Sequence, residues 1–318
     1  MTAAFAKGAS PANQAMKGVL SPVLTPFHAD LSVEKDLLTA QCRWLLNCNV
    51  GLAVFGTNSE GNSLSAAERA DLVQHLVGQG IDASRMMPGT GGCALPDVVS
   101  LTQSCLRAGV KDVLVLPPFY YKGVSDEGLF AFFSEVIERV GDSALRMYLY
   151  HIPPVSQVGL SLDLIDRLLT RYGSVIAGAK DSGGQWDNTA AMIERFSARG
   201  FAVFAGSENF LMRTLRAGGA GCISATANVN PAAIASLCSN WQVPDADAQQ
   251  QRLDTVRAVF AALPMIAAMK TAVAHASGKA DWKRLRPPLV SLNAAQEAQL
   301  LAAMKDAGFA MSQPKGSA

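Results

Sequence analysis

The sequence predicts an α/β fold, a single (β/α)8 barrel with a C-terminal helical extension. Three observations lead there. Eight short apolar runs, rich in β-branched residues, recur at ~20–35-residue spacing, each followed by a longer amphipathic stretch. No linker or low-complexity segment divides the 318 residues. The first run ends in Leu24-Thr25-Pro26-Phe27 and lacks a G-x-G-x-x-G turn, which favours the barrel over a doubly wound open sheet.

The strand candidates are residues 19–24, 51–55, 85–88, 112–116, 146–151, 175–179, 202–205 and 221–224. Ser65-Ala66-Ala67-Glu68 reads as a capping box, in which hydroxyl and carboxylate satisfy each other's orphan amides. Gly109, Gly141, Gly173 and Gly200 stand just past periodic segments, where a left-handed residue stops a helix. From about Asn240 the strand signals cease. Residues 247–278 and 293–307 have helical patterning, separated by Arg286-Pro287-Pro288. The expected organisation is a flexible tail (1–16), the barrel (17–240), a helical region (241–311) and a second flexible tail (312–318).

Composition narrows the function. Hydrophobic residues make up 49% and charged residues 17%, which supplies a large core and argues against disorder. Lys+Arg 27 against Asp+Glu 26 leaves a charge of +1, so neither nucleic acid nor an acidic membrane is an expected partner. The longest apolar run, 258–269, has 12 residues and contains Pro264; spanning a bilayer takes ~18. The stretch MTAAFAKGASPANQAM has no early basic cluster and no sustained apolar segment, so a signal peptide is not expected and the location is read as cytoplasmic. Cys42, Cys48, Cys93, Cys105, Cys222 and Cys238 form no Cys-x-x-Cys pair and read as buried free thiols. His28, His75, His151 and His275 are scattered, so no metal site is indicated, and no motif asks for a nucleotide or flavin. The expectation is a cofactor-free enzyme acting on a small molecule.

In a barrel the reactive residues belong at the C-terminal ends of the strands. Lys180 closes the run Val175-Ile-Ala-Gly-Ala-Lys180-Asp181-Ser182, among small residues that leave its stem desolvated. Burial disfavours an ammonium, and a neutral amine attacks a carbonyl carbon. The competing reading is a lysine that snorkels to the rim or pairs with Asp181. Tyr150 ends the preceding run, where a phenol is able to carry protons, although tyrosine is also an ordinary strand residue. Gly56-Thr57-Asn58-Ser59-Glu60-Gly61 is a turn that aims successive amides at an anion, or else a plain βα turn. Pro117-Pro118-Phe119-Tyr120-Tyr121 places adjacent tyrosines on a loop, which fits an interface or a pocket wall.

The ordered set is more specific than its parts. G-T-x-x-E-G, Tyr-Tyr, Tyr-x-x-Pro and Lys-Asp-Ser follow the second, fourth, fifth and sixth runs. With Pro117–Gly128 and Gly219–Asn228, the chain from about Lys17 to Phe309 resembles the dihydrodipicolinate synthase/N-acetylneuraminate lyase family of pyruvate-dependent class I aldolases. The resemblance implies that Lys180 forms an imine with the keto carbon of a 2-keto acid and that Tyr150 is the acid/base beside it. It implies that the amides of Thr57 and Asn58 hold the carboxylate and that the Thr57 hydroxyl relays protons. It also implies that Tyr121 crosses to a neighbouring subunit in a homodimer or homotetramer.

Departures bear on the substrate. The lysine-biosynthesis branch carries an arginine shortly after the Tyr-x-x-Pro segment, and residues 150–159 contain none, which is more like the sialic acid lyase and sugar-acid aldolase branch. Asn58 replaces a second threonine of many relatives, and His151 stands where asparagine is frequent, as a pocket residue or a structural one. Ser182, Gly206, Glu208, Asn209 and Thr226 lie where the resemblance implies contacts to a polyhydroxylated tail, while Glu208 alternatively caps the next helix. The expected reaction is retro-aldol cleavage, or dehydration or deamination, of a 2-keto sugar-acid-like substrate. The alternatives are condensation of pyruvate with aspartate semialdehyde and a non-catalytic keto-acid-binding barrel.

Overall fold

The computed structural model of the protein describes residues 15–312. Seven parallel strands form one sheet: β1 (Gly18–Ser21), β2 (Gly51–Leu52), β3 (Asp112–Val115), β4 (Arg146–His151), β5 (Ile176–Asp181), β6 (Ala202–Ala205) and β7 (Gly221–Ile223). Their order is β2-β1-β7-β6-β5-β4-β3. The gap between β2 and β3 is filled by the third predicted run. It makes only isolated bridges, Leu52 with Met86 and Gly89 with Leu114, because Pro88 has no N–H to give a ladder. Met87 N–H donates to Leu52 O at 2.8 Å and Leu114 N–H to Pro88 O at 2.9 Å, so the sheet closes into a barrel.

Helices alternate with the strands: α1 (Lys35–Asn47), α2 (Ala66–Gly78), α3 (Leu95–Arg107), α4 (Asp126–Val140), α5 (Pro153–Ser156), α6 (Leu162–Tyr172), α7 (Trp186–Phe196), α8 (Leu211–Arg216) and α9 (Pro231–Ser239). The capping box is present at α2, with Ser65 accepting from Glu68 N–H and Glu68 accepting from Ser65 N–H. The helical pattern expected over 247–278 is two helices, α10 (Ala246–Ala261) and α11 (Met265–Ser277), bent by 105° at Leu263-Pro264. α12 (Ala294–Asp306) follows. Among the described residues no single helix is long and apolar enough to cross a membrane.

Strand alternation divides the core in two. Leu20, Met87, Tyr148, Tyr150, Phe204 and Ile223 pack inside the barrel, while Leu149, Ala179, Ala205 and Cys222 pack between sheet and helices. Of the tails expected to be flexible, residues 1–14 and 313–318 lie outside the described residues. Ala15 and Met16 do not hang free: both pack on the inner cluster, and Met16 N–H donates to Tyr148 Oη at 2.8 Å. The cysteines are all free thiols, but only Cys42, Cys105 and Cys222 are buried, and Cys93 is exposed on the loop before α3.

Candidate active site

β4 and β5 pair in register, Tyr150 with Lys180 and His151 with Asp181. Alternation then sends Lys180 and Tyr150 inward. Lys180 Nζ donates to Tyr150 Oη at 3.2 Å and lies 4.4 Å from the centroid of the same ring. Lys180 and Tyr150 are each only 3% exposed, above a floor of Tyr148 and Phe204. Asp181 faces the other way, accepting from Gly183 N–H at 2.8 Å, Asn188 at 3.0 Å and Thr189 at 2.7 Å. The lysine therefore neither snorkels nor pairs with its neighbouring aspartate.

Burial alone pushes a phenol's pKa up. At Tyr150 the charge of Lys180, with hydrogen bonds to Thr57, Lys180 and Ser182, outweighs burial and holds the phenol below its ordinary value. Thr57 and Asn58 open a short 3-10 turn (Thr57–Ser59), where the first amides have no partner in the turn's own ladder. The turn lies between two left-handed residues, Phe55 at φ 61° and Glu60 at φ 58°. Gly61 follows because a Cβ there would lie 1.9 Å from Phe55 O. A cavity beside Tyr150 is lined by Thr57, Asn62, Arg69 and Leu116 among others. Arg69 Nη1 donates to the carbonyls of Gly89 and Gly91, both at 3.2 Å, and so fixes the irregular third segment.

Of the expected substrate contacts, Ser182 reaches the pair. Gly206 is the close neighbour that its packing demands: a Cβ at Gly206 would lie 2.0 Å from Ser182 Oγ. Glu208 and Thr226 are otherwise engaged. Glu208 is buried beneath α10 and accepts from the hydroxyls of Ser224 and Thr226, with Arg257 Nη1 of α10 at 3.3 Å. Nor does Glu208 cap the next turn, because Ser207 does so by accepting from Asn209 N–H. Asn209 itself is exposed and bonded to Ser207. His151 points outward, and its Nδ1 accepts from Leu160 N–H at 3.0 Å, which makes it a clamp on the following turn. Burial lowers its pKa, which keeps the ring neutral as that bond requires.

Tyr121 is 69% exposed and makes no contact with Lys180 or Tyr150 among those described; it stacks edge-to-face on Tyr120 at 5.5 Å. Sequence reading missed the support beneath the turn. Lys270 of α11, fully buried, places Nζ 2.6 Å from Glu60 Oε2. The available signal was a lysine directly after the longest apolar run, 258–269.

Fold and site together define a (β/α)8 barrel enzyme whose candidate reactive group is a buried lysine at the strand ends. The family whose sequence profile matches residues 15–307 is the dihydrodipicolinate synthetase family. An uncharacterized DapA-like lyase of Chloroflexus aurantiacus is 32% identical over 290 residues, 90% of this chain and 95% of the relative. A 4-hydroxy-tetrahydrodipicolinate synthase of Agrobacterium fabrum is 31% identical, covering 92% and 99%. Among solved structures, the prophage protein YagE of E. coli K12, crystallised with pyruvate, matches at TM-score 0.84 and 27% identity, covering 92% and 99%. The chain belongs to the dihydrodipicolinate synthetase family, and it is a lyase of that family.

Proposed function

We propose that the protein forms a Schiff base through Lys180 with pyruvate or a related 2-keto acid, and that its preferred substrate is a 2-keto sugar-acid-like molecule. The observation that carries this reading is the buried Lys180 Nζ at 3.2 Å from Tyr150 Oη, at the mouth of the barrel. The amine adds to the C2 carbonyl, and the carbinolamine loses water to give a protonated imine. In the retro-aldol direction Tyr150 takes the proton of the C4 hydroxyl. The C3–C4 bond then breaks, its electrons flow into the imine and an aldehyde departs. Protonation of the enamine at C3 and hydrolysis release pyruvate and the free lysine. The amides of Thr57 and Asn58 hold the substrate carboxylate, Ser182 steadies the phenol, and the Thr57 hydroxyl carries protons onward. Tyr121 completes this relay from a neighbouring subunit of a cytoplasmic homodimer or homotetramer. The name of the Agrobacterium fabrum relative favours a second reading, condensation of pyruvate with aspartate semialdehyde. Against it stands the absence of an arginine between 150 and 159.

The test is intact-protein mass after pyruvate and sodium borohydride, with peptide mapping, followed by turnover of 2-keto sugar acids against aspartate semialdehyde. The expected outcome is one reduced pyruvate adduct, on Lys180, and faster turnover of the sugar acid. No adduct on folded protein would overturn the Schiff-base mechanism, and efficient condensation with the semialdehyde would overturn the substrate choice.

A further inference from the structure

The turn that carries Thr57 and Asn58 is braced by residues more than two hundred positions away. Glu60 is only 2% exposed and holds a left-handed backbone, a conformation uncommon for a residue with a side chain. Its carboxylate meets Lys270 Nζ at 2.6 Å, and the same ammonium donates to Arg284 O at 2.6 Å and lies 4.6 Å from the centroid of the Phe27 ring. Arg286, two residues beyond Arg284, places its guanidinium carbon 4.9 Å from the centroid of the same ring. It donates to Leu31 O at 2.9 Å, Ser63 O at 2.8 Å and Glu68 Oε1 at 2.6 Å, so it grips the residues that leave the turn and the first turn of α2. Within the turn, Thr25 Oγ donates to Ser59 O at 2.7 Å. Besides the Thr57–Tyr150 bond and a bond from Ser59 Oγ to Ala53 O at 3.4 Å, the side-chain supports described for this segment come from the 25–31 loop and from residues 270–286.

We infer that Glu60 and Lys270 are positioning residues, a buried ion pair through which α11 sets the aim of the Thr57 and Asn58 amides at the substrate carboxylate. Neither touches substrate; they act through the turn. The pair is poorly solvated, and burial brings Lys270 down to about 8 and raises Glu60 despite their contact. Removing one partner therefore leaves an uncompensated buried charge, and the turn shifts to relieve it. The inference rests on the carboxylate role assigned to Thr57 and Asn58 above and adds to it the part of the molecule that sets their geometry.

The experiment compares two borohydride-trapping probes on Lys180, pyruvate and methyl pyruvate, which share the ketone and differ in the carboxylate. Wild type, Lys270→Met and the near-isosteric Glu60→Gln are titrated with each, and half-saturation is read by peptide mass. The expected result is that the variants lose about ten-fold of the preference for pyruvate over its ester, while saturating probe still labels Lys180. A general loss of stability would lower trapping of both probes alike. An unchanged preference in Glu60→Gln, or in Lys270→Met where it folds, would overturn the inference and make the pair purely structural. Wild type that traps neither probe would instead sink the Schiff-base reading and, with it, this extension. Wild type that traps both equally would remove the carboxylate role of the turn.

Discussion

Tyr150 shows how neighbours set the proton affinity of a buried side chain. An isolated buried phenol is a poor proton carrier, because burial raises its pKa. Here the Lys180 charge and three side-chain hydrogen bonds reverse that direction. Replacing Tyr150 with Phe keeps the ring in the inner cluster and removes the hydroxyl that bonds Thr57, Lys180 and Ser182, the proposed proton carrier. Lys180 in this variant is expected still to give a borohydride-trapped adduct, while steady-state turnover falls by about 10²–10⁴-fold. Full turnover would take the phenol out of the reaction. The placement of both residues at strand ends was legible in the sequence, because each closes an apolar run; strand alternation then decides which way it faces. Glu208 was not legible. Its surroundings are set by Arg257, on a helix 49 residues later, and nothing local in Gly206-Ser207-Glu208-Asn209 distinguishes a rim contact from a buried anchor.

At the scale of elements, the turn from Gly56 to Gly61 is the most constrained. A methyl group at Gly61 meets the Phe55 carbonyl, which is main chain and already held in a left-handed conformation. Gly61→Ala is therefore expected to destabilise the fold by about 1–3 kcal/mol and to weaken pyruvate trapping together with it. Denaturant midpoints measured alongside adduct formation check this, and an unchanged midpoint would mean that the turn shifts freely. Most element positions were readable from the sequence, since period and punctuation agree along the chain. The exceptions have local causes. Pro88 reduces the third predicted strand to two bridges, and Pro264 splits the long C-terminal pattern. The fifth strand starts at Ile176, after a 3-10 turn at Gly173–Val175, and runs on through Lys180 to Asp181, so the candidate nucleophile lies within the ladder. The Glu60–Lys270 contact has no local trace, because sequence periodicity reports which face of an element is buried and not which distant element covers it.

For the molecule as a whole, one chain leaves Tyr120, Tyr121 and Val155 heavily exposed. Lys122 Nζ donates to Ser156 O at 2.9 Å and ties the tyrosine loop to the helix that carries Val155. A tethered aromatic and aliphatic patch of this kind suits a contact between subunits. If Tyr121 serves a neighbour's site, mixing Tyr121→Phe subunits with Lys180→Ala subunits rebuilds one intact site in each mixed pair. Activity is then expected to recover to about one quarter of wild type on random exchange within two-fold pairs, measured against the unmixed parents. Recovery no greater than the parents' average would place Tyr121 outside the relay. Closure of the barrel has a further consequence, for the growing chain. β1 finds its second partner only when β7 is made, with Gly18 lying beside Gly221. At about 5–20 residues per second, the ~200 intervening residues take some 10–40 s to synthesise. For that interval β1 has an open edge, a template for wrong pairing. The demand on nascent-chain protection therefore falls on the segment around β1 and ends only when β7 is made.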